Sequence, residues 1–277
     1  MIGPARVMGI LNVTPDSFSD GGCFARVEAA VAHAGRLIAQ GADVLDIGGE
    51  STRPGAAPVS EAEELARVIP VIAAVREFST IPISIDTMKP AVAQAAVGLG
   101  ASLWNDVTAL SFALESPAMA ATLGCEVVLG HMQGEPATMQ KAPHYDDVVA
   151  EVSERLLERA RVAMAAGVRR EKIWLDPGIG FGKTAAHNLE LLAGLDRLVG
   201  LGFPVLLGAS RKGFIRTLDP AAYDAGYRLG GSLAAALASV AAGAAMVRVH
   251  DVAETVQALA MAKAISEART YHAGTHG

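Results

Sequence analysis

Six glycines constrain this chain more than any other feature of it. They stand in Gly41-Ala42-Asp43, Gly100-Ala101-Ser102, Gly124-Cys125-Glu126, Gly167-Val168, Gly202-Phe203-Pro204 and Gly243-Ala244-Ala245. Each falls where an Ala-rich or amphipathic stretch stops and a short apolar run begins. Glycine just past the last helical residue takes positive φ without a Cβ penalty, so it is a common helix stop. Repeated six times, the stop punctuates an alternation of helix and strand. The apolar runs lie at 7–12, 43–49, 82–87, 102–107, 126–132, 172–178, 204–210 and 245–251, and are rich in Val, Ile and Leu. They are too short for typical helices and read as buried strands. Helical patterns fall between and after them, at 26–40, 60–78, 89–99, 111–123, 145–166, 186–199, 227–242 and 252–268. Ser60 with Glu63 predicts a capping box, and Pro90 suits a first helical turn. Eight strand–helix units with no linker, low-complexity tract or close repeat predict an α/β chain. Its expected fold is one single-domain (β/α)8 TIM barrel over 1–277, with a core at about 7–268 and a frayed tail, YHAGTHG. A doubly wound open sheet is the alternative. It calls for a phosphate loop after the first strand, and neither GxGxxG nor GxxxxGK[ST] stands there.

Composition narrows the function classes. A net charge of −6 and a pI near 5.7 argue against nucleic acid as partner and leave room for a local basic pocket. Cys23 and Cys125 make neither a disulfide framework nor a metal-ligand pattern, which points to a reducing compartment and a cytoplasmic location. The first residues, MIGPARVMGILNV, lack the basic and long apolar regions of a signal peptide. The uncharged stretch 229–247 is mostly Ala and Gly, so it reads as a buried helix running into a buried strand, with no membrane partner.

The chemistry gathers where the strands end. In a barrel of this kind the C-terminal strand ends share one face, and the active site lies there. That face collects Asn12, Asp46, Asp86, Asn105, His131, Asp176, Lys212, Arg248 and His250. A single Asn or Asp at such a place is usually a turn or cap residue, but polar groups at the end of every strand predict a polar cavity of mixed charge. The run IWLDPGIGFGK (173–183) is typical. Apolar residues stop at Asp176, and three glycines in the next six positions permit close backbone approach. Two long connections, 13–24 and 50–59, add Asp16, Ser17, Asp20, Thr52 and Arg53, and loops of that length are usually functional. Arg248 and His250 share a face by their spacing of two and suit a phosphate or pyrophosphate, unless Arg248 pairs with Asp251 or another local acid. Asn12 offers a neutral oxygen to a Mg²⁺ bridging those phosphates. Asp86, Asn105 and Asp176 form an acceptor set suited to the donor edge of a fused heterocycle such as a pterin or guanine. Lys212 is a point cation for a ring carbonyl or nitrogen, and Phe181 an aromatic cover.

Those residues lie in segments that resemble the dihydropteroate synthases. GILNVTPDSFSDGG (9–22), DIGGESTRPGA (46–56), SIDTMKP (84–90), HMQGEPATMQ (131–140), LDPGIGFGK (175–183), SRKGFI (210–215) and RVHD (248–251) occur in the family's order over residues 7 to about 265. The resemblance implies the barrel, a homodimer, and condensation of 6-hydroxymethyl-7,8-dihydropterin pyrophosphate with p-aminobenzoate to give 7,8-dihydropteroate and pyrophosphate. It implies Mg²⁺ at Asn12, catalytic roles for Asp86, Asp176, Lys212 and Arg248, and substrate contacts at Thr52, Arg53, Asn105, Phe181, Ser210 and His250 as well. Two positions depart from the pattern: Gly213 stands where Ser often follows Ser-Arg-Lys, and Gly130 where a larger apolar residue precedes His-Met. The alternatives are a pterin-binding methyltransferase with a corrinoid partner, which does not need the STRPGA and SRK segments, and a pterin-binding paralogue without catalysis, in which Arg248 or His250 would be eroded.

Overall fold

A computed structural model of the chain describes residues 5–14, 23–51, 56–134 and 138–274, with the side chains of 23–25 and 269–274 excepted. The strands are β1 (Arg6–Asn12), β2 (Val44–Gly48), β3 (Ile83–Asp86), β4 (Leu103–Asp106), β5 (Glu126–Gly130), β6 (Ile173–Asp176), β7 (Leu206–Leu207) and β8 (Met246–Val249). The helices are α1 (Cys23–Ala39), α2 (Glu61–Phe78), α3 (Pro90–Gly98), α4 (Ser116–Leu123), α5 (Val148–Ala165), α6 (Ala185–Ala193), α7 (Leu195–Val199), α8 (Ile215–Leu218), α9 (Leu229–Ala241) and α10 (Val252–Gly274). All strand pairs are parallel, in the order β6-β5-β4-β3-β2-β1-β8-β7. One bridge, Leu175 with Val205, joins the two ends. The result is a nearly closed (β/α)8 barrel, as the alternation predicts.

The six helix-stop glycines all adopt positive φ: Gly41 96°, Gly100 96°, Gly124 61°, Gly167 109°, Gly202 77° and Gly243 104°. Several details differ from the sequence reading. The seventh strand is expected over 204–210, but only Leu206–Leu207 makes a ladder, with Val205 adding a single bridge to Leu175. The helix expected over 186–199 breaks in two at Gly194. Only half of the capping box forms: Ser60 Oγ accepts from the Glu63 N–H at 3.2 Å, while the Glu63 carboxylate turns to Arg67. The last helix, α10, extends to Gly274, into the stretch expected as the tail. Among the described residues no helix is long and apolar enough to cross a membrane.

Inside the barrel, period-two alternation builds the floor of the site. Met8, Val44, Leu103, Val128, Trp174, Leu206 and Met246 form an apolar plug. Two residues further along the same strands come Ile10, Asp46, Asn105, Gly130, Asp176, Gly208 and Arg248. The apolar layer therefore hands directly to a charged one at the C-terminal mouth. Outside the strands a second, larger cluster packs helices onto sheet, with Leu11, Ile47, Ile72, Ile85, Trp104 and Leu129 fully buried.

Candidate active site

The charged layer is organised by Arg248. Its Nε donates to Asp46 Oδ2 at 2.5 Å and a terminal nitrogen donates to Asp86 Oδ2 at 2.6 Å. Asn105 Nδ2 reaches the two Asp46 oxygens at 3.5 and 3.3 Å. Asp46 is fully buried, so one carboxylate below the mouth aims both a guanidinium and an amide. The sequence reading leaves Asp46 without a role in ligand contact. It sits mid-strand in an otherwise apolar run, and only the barrel's closure brings β8 alongside β1, next to β2.

Burial pushes the Asp86 carboxyl up to about 7; Arg248 pulls it down, while Asp46, Glu64 and Asp106 push it further up. Asp176 is also raised by burial, against the Gly178 N–H, which it accepts at 2.7 Å, and against Lys212, Arg248 and Lys183. Arg248 is held firmly charged: burial opposes its charge, but Asp46 and Asp86 outweigh that. Lys212 places its Nζ 4.1 Å from the centroid of the Phe181 ring. A Cβ at Gly180, which has φ +83°, would lie 3.1 Å from the Lys212 Cδ, so this contact needs glycine.

The chain after β7 aims Lys212. Arg211 holds a left-handed φ of 57°. Its N–H donates to Ser232 Oγ at 2.8 Å, its guanidinium pairs with Asp251, and its carbonyl accepts from Arg228 at 3.0 Å. The backbone conformation is thus held from three sides. Asp251 is taken by Arg211, which answers the alternative of an Arg248–Asp251 pair. Ser210 Oγ lies 3.0 Å from His250 Nδ1 and accepts the His250 N–H at 3.2 Å, so these two residues form a pair of their own. Arg248 thus bonds to the two acids, while His250 bonds to Ser210.

The remaining expected positions divide. Asn12 ends β1, next to β8, is partly exposed, and its side chain makes no hydrogen bond among the described residues. Thr52 and Arg53, and with them Asp16, Ser17 and Asp20, lie outside the described residues. The root of their second loop is described. Lys89 donates to Glu50 at 2.5 Å and to Glu64 at 2.6 Å, and Glu50 accepts the Val59 N–H at 3.0 Å, tying the two ends of the loop together. Burial opposes the Lys89 charge, but the two carboxylates outweigh it and raise its pKa. A cavity of about 610 Å³, with Glu50, Met88, Phe112, His131 and Arg159 in its wall, opens beside the charged layer and meets it at Gly130.

Gly130 is required by the backbone. A Cβ there would stand 2.7 Å from Val107 Cα. The chain leaving β4 crosses that point, held because Asp106 accepts the Leu110 N–H at 2.8 Å and Arg159 donates to the Ala109 and Leu110 carbonyls at 2.8 Å. Ala109 and Leu110 take φ of 54° and 59°, a strained pair beside the site.

A (β/α)8 barrel with this mouth defines an enzyme that grips a donor-rich, charge-bearing ligand at its strand ends. The family model described as "Pterin binding enzyme" matches residues 8–250. The dihydropteroate synthase of Escherichia coli (strain K12) is 49% identical over 266 residues, spanning 95% of this chain and 93% of the relative. The structure of Xanthomonas albilineans dihydropteroate synthase with 4-aminobenzoic acid superposes with a TM-score of 0.90 at 52% identity, covering 96% of this chain and 94% of that one. The same enzyme in complex with 7,8-dihydropteroate gives 0.87 at 49% identity, covering 96% and 95%. The chain belongs to the pterin-binding enzymes and, within them, to the dihydropteroate synthase family.

Proposed function

We propose that this chain condenses 6-hydroxymethyl-7,8-dihydropterin pyrophosphate with p-aminobenzoate, giving 7,8-dihydropteroate and pyrophosphate. The observation that carries this reading is the charged layer itself: Asp86, Asn105 and Asp176 at the mouth, Arg248 bridging Asp46 and Asp86, and Lys212 lying over Phe181. A pterin presents an amino group and ring N–H donors along one edge. Carboxylates at Asp86 and Asp176 accept them, and the Asn105 amide completes the set.

The arylamine nitrogen attacks the pterin CH₂ with its lone pair. The C–O bond to pyrophosphate breaks as the C–N bond forms, and the nitrogen then loses a proton to water. An arylamine exposes its lone pair without a base, so the barrier lies in departure of the leaving group. Asp86 and Asp176 stabilise positive charge building on the pterin, and Arg248 and Lys212 are the cations of the mouth. Phe181 and the turn at Ser210–Gly213, joined by the Lys212 contact, are the side that receives p-aminobenzoate in this reading; Thr52 and Arg53 are expected substrate contacts outside the described residues.

The residues fit a Mg²⁺ with few protein ligands. Asn12, at the end of β1 and with no partner among the described residues, would hold it through its amide oxygen. Bound there, the metal supplies positive charge to the leaving oxygens. A homodimer is also part of this reading. Leu218, Tyr223 and Tyr227 lie close in the β7–α9 connection and are 63–67% exposed, as is Met261 on the neighbouring α10.

The test is pyrophosphate release on mixing protein, pterin pyrophosphate, Mg²⁺ and p-aminobenzoate. Release that depends on p-aminobenzoate, with dihydropteroate found by chromatography, is expected. Pterin binding without such release would overturn the reading.

A further inference from the structure

Lys183 is buried, 3% exposed, and has no part in the chemistry above. Among the described residues its ammonium has no carboxylate at ion-pair distance. It donates to the Gly178 and Phe181 carbonyls, both at 3.0 Å, and meets His131 Nδ1 at 2.9 Å, with the His131 carbonyl at 3.4 Å. An ammonium has three donors and no acceptor, so the three short contacts use it fully, and His131 accepts at Nδ1 as a neutral ring. Burial, with Lys183 beside it, lowers the His131 pKa to about 3, in keeping with that neutral state; burial also pulls Lys183 down to about 7, with Asp176 opposing and Lys212 adding to it, so the full set of three donors is present below that pH.

The turn 177–182 is shaped around this group. Gly178 and Gly182 take φ of 68° and 61°. A Cβ at Gly178 would lie 1.8 Å from the His131 carbonyl oxygen, and one at Gly182 2.3 Å from that of Gln133. The turn is thus pressed onto the chain leaving β5 with no room for side chains between. Phe181 leaves it against Lys212. A methionine of similar length would fill the space of Lys183 without the cost of desolvating a charge, but would leave three acceptors unpaired. What the ammonium adds is therefore the fixed path of the turn.

We propose that Lys183 is a positioning residue for the arylamine substrate: it pins the turn 177–182 to the end of β5 and thereby sets the ring face of Phe181 beside Lys212. This rests on the function proposed above. The test uses the full chain with Lys183→Met, Phe181→Ala and the double variant. It measures KM for p-aminobenzoate, calorimetric affinity for pterin pyrophosphate alone, and hydrogen exchange over 177–183.

Lys183→Met is expected to raise KM for p-aminobenzoate by about tenfold or more while pterin pyrophosphate affinity changes less than about threefold. Exchange over 177–182 is expected to quicken by about tenfold or more, with β4 unchanged. The double variant is expected to be no worse than Phe181→Ala, because Lys183 acts through that ring. Multiplying effects overturn the proposal, as does a uniform fall of both affinities together with thermal stability, which marks a purely structural residue. If Lys183→Met does not fold, Lys183→Gln, which keeps two donors for the two carbonyls, is read by the same assays. Wild-type protein that releases no pyrophosphate with p-aminobenzoate removes the proposed function and the substrate assignment of Lys183 together. Wild-type turnover with multiplying variants removes only the role of Lys183.

Discussion

Replacing Asp86 with alanine separates the site from the scaffold. In the free protein its carboxyl group has a pKa of about 7 against an ordinary 3.8. A folded pKa above the unfolded one means that, between those values, the folded chain holds a proton the unfolded chain has released. The contribution of this one group to stability is therefore fully present below about pH 4 and is lost as pH rises through 7. The gap from 3.8 to about 7, at 1.36 kcal/mol per pH unit, makes the ionised carboxylate cost folding about 4 kcal/mol at pH 8. Alanine removes that cost. That figure already contains the pull of Arg248, which keeps Asp46; what alanine loses besides is the partner of one buried Arg248 N–H, about 1–3 kcal/mol. The two terms oppose each other and leave at most about 3 kcal/mol, so Tm at pH 8 should stay within about 6 °C of wild type, at roughly 2 °C per kcal/mol for a chain of this size. Turnover loses the acceptor for two ring donors, about 3 kcal/mol or more, so kcat/KM for pterin pyrophosphate should fall by at least about a hundredfold. Calorimetric melts at pH 8 and pH 6 and steady-state pyrophosphate release measure both. Wild type should gain stability from pH 8 to pH 6, and the variant should lack that part of the gain. A variant that loses stability and activity in proportion, or keeps the wild-type pH dependence, refutes the reasoning.

Affinity for the pterin should weaken below pH 7, by up to about tenfold per pH unit, as Asp86 takes a proton; calorimetry from pH 8 to pH 6 reads it. Lys89→Met leaves the fully buried Glu64 without its cation and should destabilise by about 3–5 kcal/mol, and adding Glu64→Leu should recover much of that in denaturant unfolding. Gly178→Ala, whose Cβ meets the His131 carbonyl at 1.8 Å with φ +68°, should cost at least about 3 kcal/mol by the same assay. Gly213→Ser enters open space, with nothing within 4 Å of its Cβ, so it should leave stability within about 0.5 kcal/mol and lower KM for p-aminobenzoate.

The strand ends were legible in the sequence because burial leaves so few polar residues that each one in an apolar run stands out. Asp86, Asn105, Asp176 and Arg248 are found that way, and the structure brings them to one mouth. Asp46 was collected at the same face, but its role in aiming Arg248 and Asn105 was not legible. Its neighbours are those of a core strand, and its partners Arg248 and Asn105 lie 202 and 59 residues away. Spacing put Arg248 and His250 on one face; it could not tell that Arg248 meets Asp46 and Asp86, and that His250 meets Ser210 in the turn after β7. Lys183 looked like the end of a loop motif, because nothing local tells that three acceptors from 131, 178 and 181 converge on it.

The sequence by itself determined the alternation of elements and the chemical types at the mouth. Those follow from local rules: glycine's access to positive φ, the lengths of apolar runs, and the cost of placing a charge in one. Only the tertiary structure decided which charge faces which. The choice of Asp46 and Asp86 by Arg248, and of carbonyls rather than an acid by Lys183, is made by barrel closure. That closure sets strands far apart in sequence side by side, where the few ångströms between groups govern the electrostatics.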